Sequence, residues 1–173
     1  MRIRNWVFCT LFLSSFQLNA QLPAGTKAPA IRLPNVAGKF ISLDSLKGQW
    51  VLVDFWASWC APCRLSNRTI RKYYEEWKTK GVEVLGVSLD ENRANWIKAI
   101  KQDKISWLQV NSPPKWDDPM VLNWRFERIP TSYLIDPAGI VQATQPRFVT
   151  VPFRNANVSP LLSSLVKEPV VTL

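Results

Sequence analysis

The chain has 173 residues, 47% of them hydrophobic and 20% charged, which excludes wholesale disorder and suits one domain with a sizeable buried core. Its formal charge is +9, with three cysteines and no histidine, so metal and haem patterns built on histidine are excluded from the start. Nine tryptophans point either to a heavily aromatic core or to aromatic surface around a binding site.

Residues 1–20 read as a secretory signal peptide. Arg2 and Arg4 precede an apolar run from Trp6 to Phe16, and Leu18-Asn19-Ala20 supplies a small-residue cleavage site. The run is about half the ~20 residues that a spanning helix needs, and no twin arginine is present, which favours the general secretory route. Cys9 sits between Phe8 and Thr10, without the small residues that precede a lipidated cysteine. The mature chain is expected to start near Gln21, in a periplasmic or otherwise extracytoplasmic space. It keeps two cysteines, Cys60 and Cys63, and 20 basic against 13 acidic residues, a charge of about +7. Disulfides persist outside the cytoplasm. A bridge over so short a loop constrains the unfolded chain little, so the pair reads as catalytic rather than as a staple.

Residues 21–26 form an irregular lead-in, and residues 27–173 read as one domain. Ile31 to Leu33 and Phe40 to Leu43 are expected as a hairpin around Pro34 to Lys39, and residues 44–48 as a single helical turn closed by Gly48. Trp50 to Ala57 is the central strand, a continuous run of β-branched and aromatic residues. A long helix is expected from Ala61 to Lys80, ended by Gly81, with Ser66, Ile70, Tyr73, Tyr74 and Trp77 on its apolar face. Arg64, Arg68, Arg71 and Lys72 share another face, either a plain solvated surface or a basic stripe for acidic partners. Val82 to Leu89 is a second buried strand. A helix over Arg93 to Lys101 turns Trp96, Ile97 and Ile100 inward, and Trp107 to Val110 is a strand. Residues 112–114 break the pattern, and a short helix starts at Trp116-Asp117-Asp118-Pro119 and runs to about Trp124. Thr131 to Ile135 and Ile140 to Ala143 are strands joined by the turn Asp136-Pro137-Ala138-Gly139. A terminal helix follows Ser159-Pro160 through Leu161, Leu162, Leu165 and Val166. Strands and helices alternate and a hairpin closes the order, so the fold class is α/β, with helices on both faces of a central sheet.

The chemistry concentrates where the central strand ends in Trp59-Cys60-Ala61-Pro62-Cys63. A cysteine at a helix N-terminus faces unpaired backbone N–H groups and the positive end of the dipole, both of which favour thiolate over thiol. A second thiol two residues on can close a disulfide with the first. A structural zinc or iron–sulfur site needs about four ligands, and the mature chain has no other cysteine and no histidine. A c-type haem site needs histidine where Arg64 stands. Redox exchange is the reading that remains.

At this point the chain resembles a known family. Val53-Asp54-Phe55-Trp56-Ala57 followed by Trp59-Cys60-Ala61-Pro62-Cys63 is similar to the thioredoxin active site. Residues 46–53 and the later Ile129-Pro130-Thr131-Ser132-Tyr133-Leu134-Ile135 resemble the exported TlpA/ResA-like branch of the AhpC/TSA-redoxin-like superfamily, over roughly residues 27–167. The resemblance implies a thioredoxin-like fold: a central mixed sheet with helices on both faces and an N-terminal hairpin extension. It implies Cys60 as an exposed nucleophile and Cys63 as a more buried resolving thiol. Asp54 stands where thioredoxin has its buried acid, and a carboxyl in an apolar strand should have a raised pKa suited to moving the Cys63 proton. Pro130 matches the cis proline that faces the disulfide. The backbone of Ile129 would pair with an extended client segment as an added strand, with Trp59, Ala61, Pro62 and Thr131 completing the substrate contacts. Thr131 stands where cytochrome c maturation members often carry glutamate, which speaks against that specialisation.

The resemblance implies an exported protein-disulfide reductase acting on disulfide-bonded clients and kept reduced by a membrane thiol–disulfide electron donor; no cofactor and a monomeric protein are expected. The strongly oxidising members of the fold place histidine between the cysteines, and Ala61-Pro62 carries none, so a reducing or near-neutral poise is expected. Two other classes compete. A thiol peroxidase of this fold would normally show threonine three residues before its nucleophile, and Ala57 stands there. A non-catalytic, redox-sensitive client-binding module would bind clients equally well with both cysteines replaced. Nucleic acid is not an expected partner of an exported protein.

Overall fold

The computed structural model describes residues 21–112 and 119–144. The expected signal peptide, the start of the short helix at 116–118, the terminal helix after Ser159 and the stretch 147–157 lie outside the described residues. Among the described residues, no helix is long and apolar enough to cross a membrane.

Five strands make the central sheet, in the order β5-β4-β3-β6-β7. The middle strand β3 (Trp50–Trp56) lies parallel to β4 (Val82–Ser88), which lies parallel to β5 (Leu108–Asn111). On its other side β3 runs antiparallel to β6 (Thr131–Ile135), which pairs with β7 (Val141–Thr144). Each parallel step is bridged by a helix: α1 (Ala61–Thr79) between β3 and β4, and α2 (Arg93–Asp103) between β4 and β5. Both steps move in one direction across the sheet, so right-handed crossovers put both helices on one face. The opposite face is covered by the N-terminal hairpin, β1 (Arg32–Pro34) and β2 (Phe40–Ser42), by the short helix α3 (Pro119–Trp124) and by Leu22, Ile31 and Leu43. The expected mixed sheet with helices on both faces and a hairpin extension is what the chain forms.

Strand alternation divides β3 between these layers. Val51, Val53 and Phe55 enter the large apolar cluster under the hairpin and α3, with Leu85, Val87, Tyr133 and Ile135. Leu52, Asp54 and Trp56 face the other way, toward α1 and α2. Leu52 packs with Ile70, Tyr74, Trp77 and Val84, whereas Trp56 packs with Cys60, Cys63, Trp96 and Ala99. These are two separate apolar clusters, and Asp54 falls between them.

Helix α1 has Cys60 as its N-cap in extended backbone, with Pro62 in the first turn where a missing N–H breaks no helical bond. It stops before Gly81, whose φ of 80° is left-handed. Its buried face is Cys63, Asn67, Ile70, Tyr74 and Trp77, at the three- and four-residue steps of one helical stripe. The expected face differs at Ser66, which is only partly buried, and at Asn67, which is buried instead; Tyr73 is partly buried and packs against the same cluster as Tyr74 and Trp77. Polarity hid Asn67, because periodicity is read from apolar residues.

Candidate active site

The end of β3 delivers the chain into a three-residue loop, Ala57-Ser58-Trp59, and α1 starts at once. Cys60 and Cys63 form a disulfide in this loop-to-helix corner, with Cα atoms 5.2 Å apart. The Cys60 sulfur also accepts the backbone N–H of Cys63 at 3.3 Å. That N–H is one of the donors a helix start leaves without a backbone partner. A thiolate at Cys60 would find the same donor and the helix dipole already in place.

Cys60 was expected to be exposed, and it is not: it is 5% exposed and Cys63 is fully buried. The bridge turns the Cys60 sulfur toward Cys63, among Trp56, Ala57 and the partly buried Ile129. The difference between the two remains in the expected sense, since Cys60 keeps what access there is. Trp59 beside it is 64% exposed, and Ala61 and Pro62 are also exposed, so one apolar rim surrounds the bridge. Trp56 is fully buried.

The peptide bond between Ile129 and Pro130 is cis, and both residues are half-buried. Thr131 departs from the expectation of a substrate contact. It is 1% exposed, and its hydroxyl donates to the Arg128 carbonyl at 2.6 Å. Its side chain is therefore committed inside the fold, where it opens β6.

Asp54 is buried, and one carboxyl oxygen, Oδ2, has no hydrogen-bond partner. Loss of solvation disfavours the charged form, and burial pushes its pKa from 3.8 up to about 7. Its strand neighbours in register are Gly86 on β4 and Ser132 on β6.

Several residues that hold the site were not legible in the sequence. Ser58 is clamped from two sides. Its N–H donates to the Asp90 carboxylate at 2.9 Å to Oδ2 and 3.2 Å to Oδ1, and its hydroxyl donates to the same group. Its carbonyl accepts from Arg64 at 3.2 Å. Asp90 in turn accepts from the Ser88 hydroxyl at 2.8 Å, and Asn111 donates to the Asp90 carbonyl at 2.9 Å. Arg64 forms a two-pronged ion pair with buried Asp103, one prong at 2.8 Å, so it ties α1 to α2 as well as to the loop. That bond to Asp103 raises the pKa of the guanidinium. Arg64 thus leaves the expected basic stripe and becomes part of the scaffold. These partners lie 32 and 39 residues apart in the chain, and no local pattern links them. The weak signals were the Asp90-Glu91-Asn92 loop opening at the end of a strand and a cation directly after the second cysteine.

The matches with known proteins agree with this geometry. Residues 24–144 match the AhpC/TSA family. The thiol-disulfide oxidoreductase ResA of Bacillus subtilis strain 168 is 31% identical over 137 residues, which span 76% of this chain and 72% of ResA. The chain belongs to the AhpC/TSA family, in its ResA-like branch. The thiol:disulfide interchange protein HelX of Rhodobacter capsulatus is 33% identical over 123 residues, 67% of this chain and 64% of HelX. The crystal structure of the thioredoxin domain of a thiol-disulfide oxidoreductase from Bacteroides vulgatus superposes with a TM-score of 0.70 at 32% identity, covering 84% of this chain and 99% of that one. The thioredoxin-like fold of this ResA-like chain is thereby shared with solved relatives.

Proposed function

We propose that this ResA-like protein is an extracytoplasmic thiol–disulfide oxidoreductase that works as a reductase of protein disulfides. The observation that carries the reading is the Cys60–Cys63 disulfide at the start of α1, with the Cys60 sulfur on the Cys63 N–H. In the reduced protein, the Cys60 thiolate attacks one sulfur of a client disulfide. A mixed disulfide forms and the other client sulfur leaves as thiolate. Asp54 takes the proton of Cys63, and the Cys63 thiolate attacks the Cys60 sulfur. The bond between Cys60 and the client breaks, the client leaves with both sulfurs reduced, and the Cys60–Cys63 bond is remade. The two electrons come from the protein's dithiol, which a dithiol donor must restore.

The neutral pair Ala61-Pro62 adds no charge between the cysteines, which supports a reducing poise. The exposed rim of Trp59, Ala61 and Pro62, with the Ile129-Pro130 backbone across from it, suits an extended client segment docked as an added strand. The leader-like residues 1–20 support export, and outside the cytoplasm a membrane thiol–disulfide donor would supply the electrons.

The test is turnover of a small disulfide-bonded protein with dithiothreitol as donor. Cys60→Ser is expected to bring the rate to the enzyme-free background. Reduced Cys63→Ser, freed of dithiothreitol before it meets the client, is expected to hold the client covalently on Cys60. A Cys60→Ser protein with wild-type rates overturns the proposal. So does a Cys63→Ser protein that accumulates no mixed disulfide.

A further inference from the structure

Between the two apolar clusters on the α1–α2 face lies a layer of buried polar side chains. On β3, Leu52 belongs to one cluster and Trp56 to the other, with Asp54 between them. On α1, Ile70 belongs to the first and Cys63 to the second, with Asn67 between them. Strand and helix thus set Asn67 opposite Asp54, one helical turn from Cys63. Asn67 is 1% exposed, and neither its Oδ1 nor its Nδ2 has a hydrogen-bond partner.

Gln109 reaches the same layer from β5. It is the register partner of Gly86, which is the register partner of Asp54. Its Oε1 accepts the Trp56 indole N–H at 3.0 Å. An indole nitrogen only donates, so the amide orientation is set and the Nε2 group is left over. The amide fills the space that a Cβ at Gly86 would occupy, and Nε2 has no partner. Buried polar atoms without partners are costly, and most folds pair them. Register and helical step thus place three side chains with such atoms, Asp54, Asn67 and Gln109, in one layer on the Cys63 side of the sheet.

We propose that Asn67 and Gln109 are positioning residues for the proton step: their amide N–H groups serve the Asp54 carboxylate when it takes the Cys63 proton, directly or through one bridging water. This rests on the role given to Asp54 above. Burial alone favours the protonated acid, and hydrogen bonds made to the charged form favour the anion, so the two amides keep the acid able to ionise in an apolar setting. Other charges do not substitute for them. The titratable groups on this side of α1 are Cys63 and Tyr74, whose hydroxyl donates to Glu83. From α2 it is Asp103, held by Arg64. The facing positions of β4 and β6 are Val84, Gly86, Ser88, Ser132 and Leu134, which carry no charge.

The experiment is a carbon-13 NMR titration of the Asp54 carboxyl in the oxidised protein, with the pH–rate profile of disulfide reduction beside it. Asn67→Leu and Gln109→Met keep the volume and remove the donors, and apolar replacement of such groups is compatible with folding. Asn67→Leu is expected to move the Asp54 midpoint up by about one pH unit and the rate profile with it, so that the rate at neutral pH falls several-fold and recovers at higher pH. Gln109→Met is expected to act in the same direction and less. In an Asp54→Asn background neither change should move the rate profile. If both single variants are folded and the carboxyl midpoint stays put or falls, the inference is overturned. If the midpoint rises but Asp54→Asn leaves the rate profile of the wild type, the role of Asp54 in turnover has failed and the coupling of the amides to its ionisation stands.

Discussion

The two faces of β3 are built to different rules. Val51, Val53 and Phe55 enter a continuous apolar core under the hairpin and α3, where Phe55 meets Trp124, Phe126 and Tyr133 ring to ring at centroid distances of 4.3 to 6.1 Å. The Tyr133 hydroxyl drawn into that core donates to the Trp124 carbonyl at 2.6 Å, whereas the Trp124 indole N–H there has no partner. The other face of the same seven residues carries Asp54, buried with an unpaired oxygen next to the cysteines. The first face is held by apolar and ring contacts, and the second gives up stability to keep an acid in an apolar setting. Local sacrifice of this kind is expected where chemistry occurs.

The largest test of the contrast is Phe55→Ala, which opens a cavity in the apolar face and is expected to lower stability by about 3–5 kcal/mol. The variant should still reduce a client at temperatures where it is folded. Chemical denaturation with a parallel activity assay reads both. A comparable loss of activity in the fully folded variant would erase the division between the faces.

Asp54→Asn should act with the opposite sign. A carboxyl with a pKa of about 7 in the folded chain binds a proton between about pH 4 and 7 that the unfolded chain, near 3.8, has released. Its contribution to stability is therefore most favourable below about pH 4, falls as the pH rises toward 7, and stays low above it. Asn at this position removes the fall. The variant is expected to be more stable than the wild type at pH 8, by about 4 kcal/mol at most, with the gain shrinking toward pH 4, and to reduce clients more slowly. Urea midpoints at the two pH values, set against rates, measure the exchange. Equal stability differences at both pH values would show that Asp54 is not raised by burial.

A smaller effect is expected at Asp90, which sits in the polar network but is satisfied. Asp90→Asn keeps the shape and turns an NH2 group toward donors at Ser58 or Ser88, so about 1–3 kcal/mol should be lost. Slower hydrogen exchange defines the clamp, and the Ser58 amide is expected to exchange faster in the variant. An unchanged Ser58 amide would show that the loop is held by Arg64 alone.

Much of this was legible in the chain. The strand ending in Cys60-Ala61-Pro62-Cys63, the helix after it and the turn at Asp136 to Gly139 are local, because β-branched runs, helix starts and turn residues act over a few positions. Asp54 stood out as one charge inside an apolar strand. The clamp on Ser58, the Arg64–Asp103 pair and the layer of Asn67 and Gln109 join residues from separate elements, and such pairings leave no trace in periodicity.

What the sequence by itself determined is therefore the redox pair, the element that delivers it and the class of fold, since each follows from short-range sterics and the hydrophobic pattern. Only the tertiary structure decided how the site is held and protonated. Burial of Cys60, commitment of Thr131 to the interior and burial of Asp54 with an unpartnered carboxyl oxygen are products of solvent exclusion, which exists only once the helices close over the sheet.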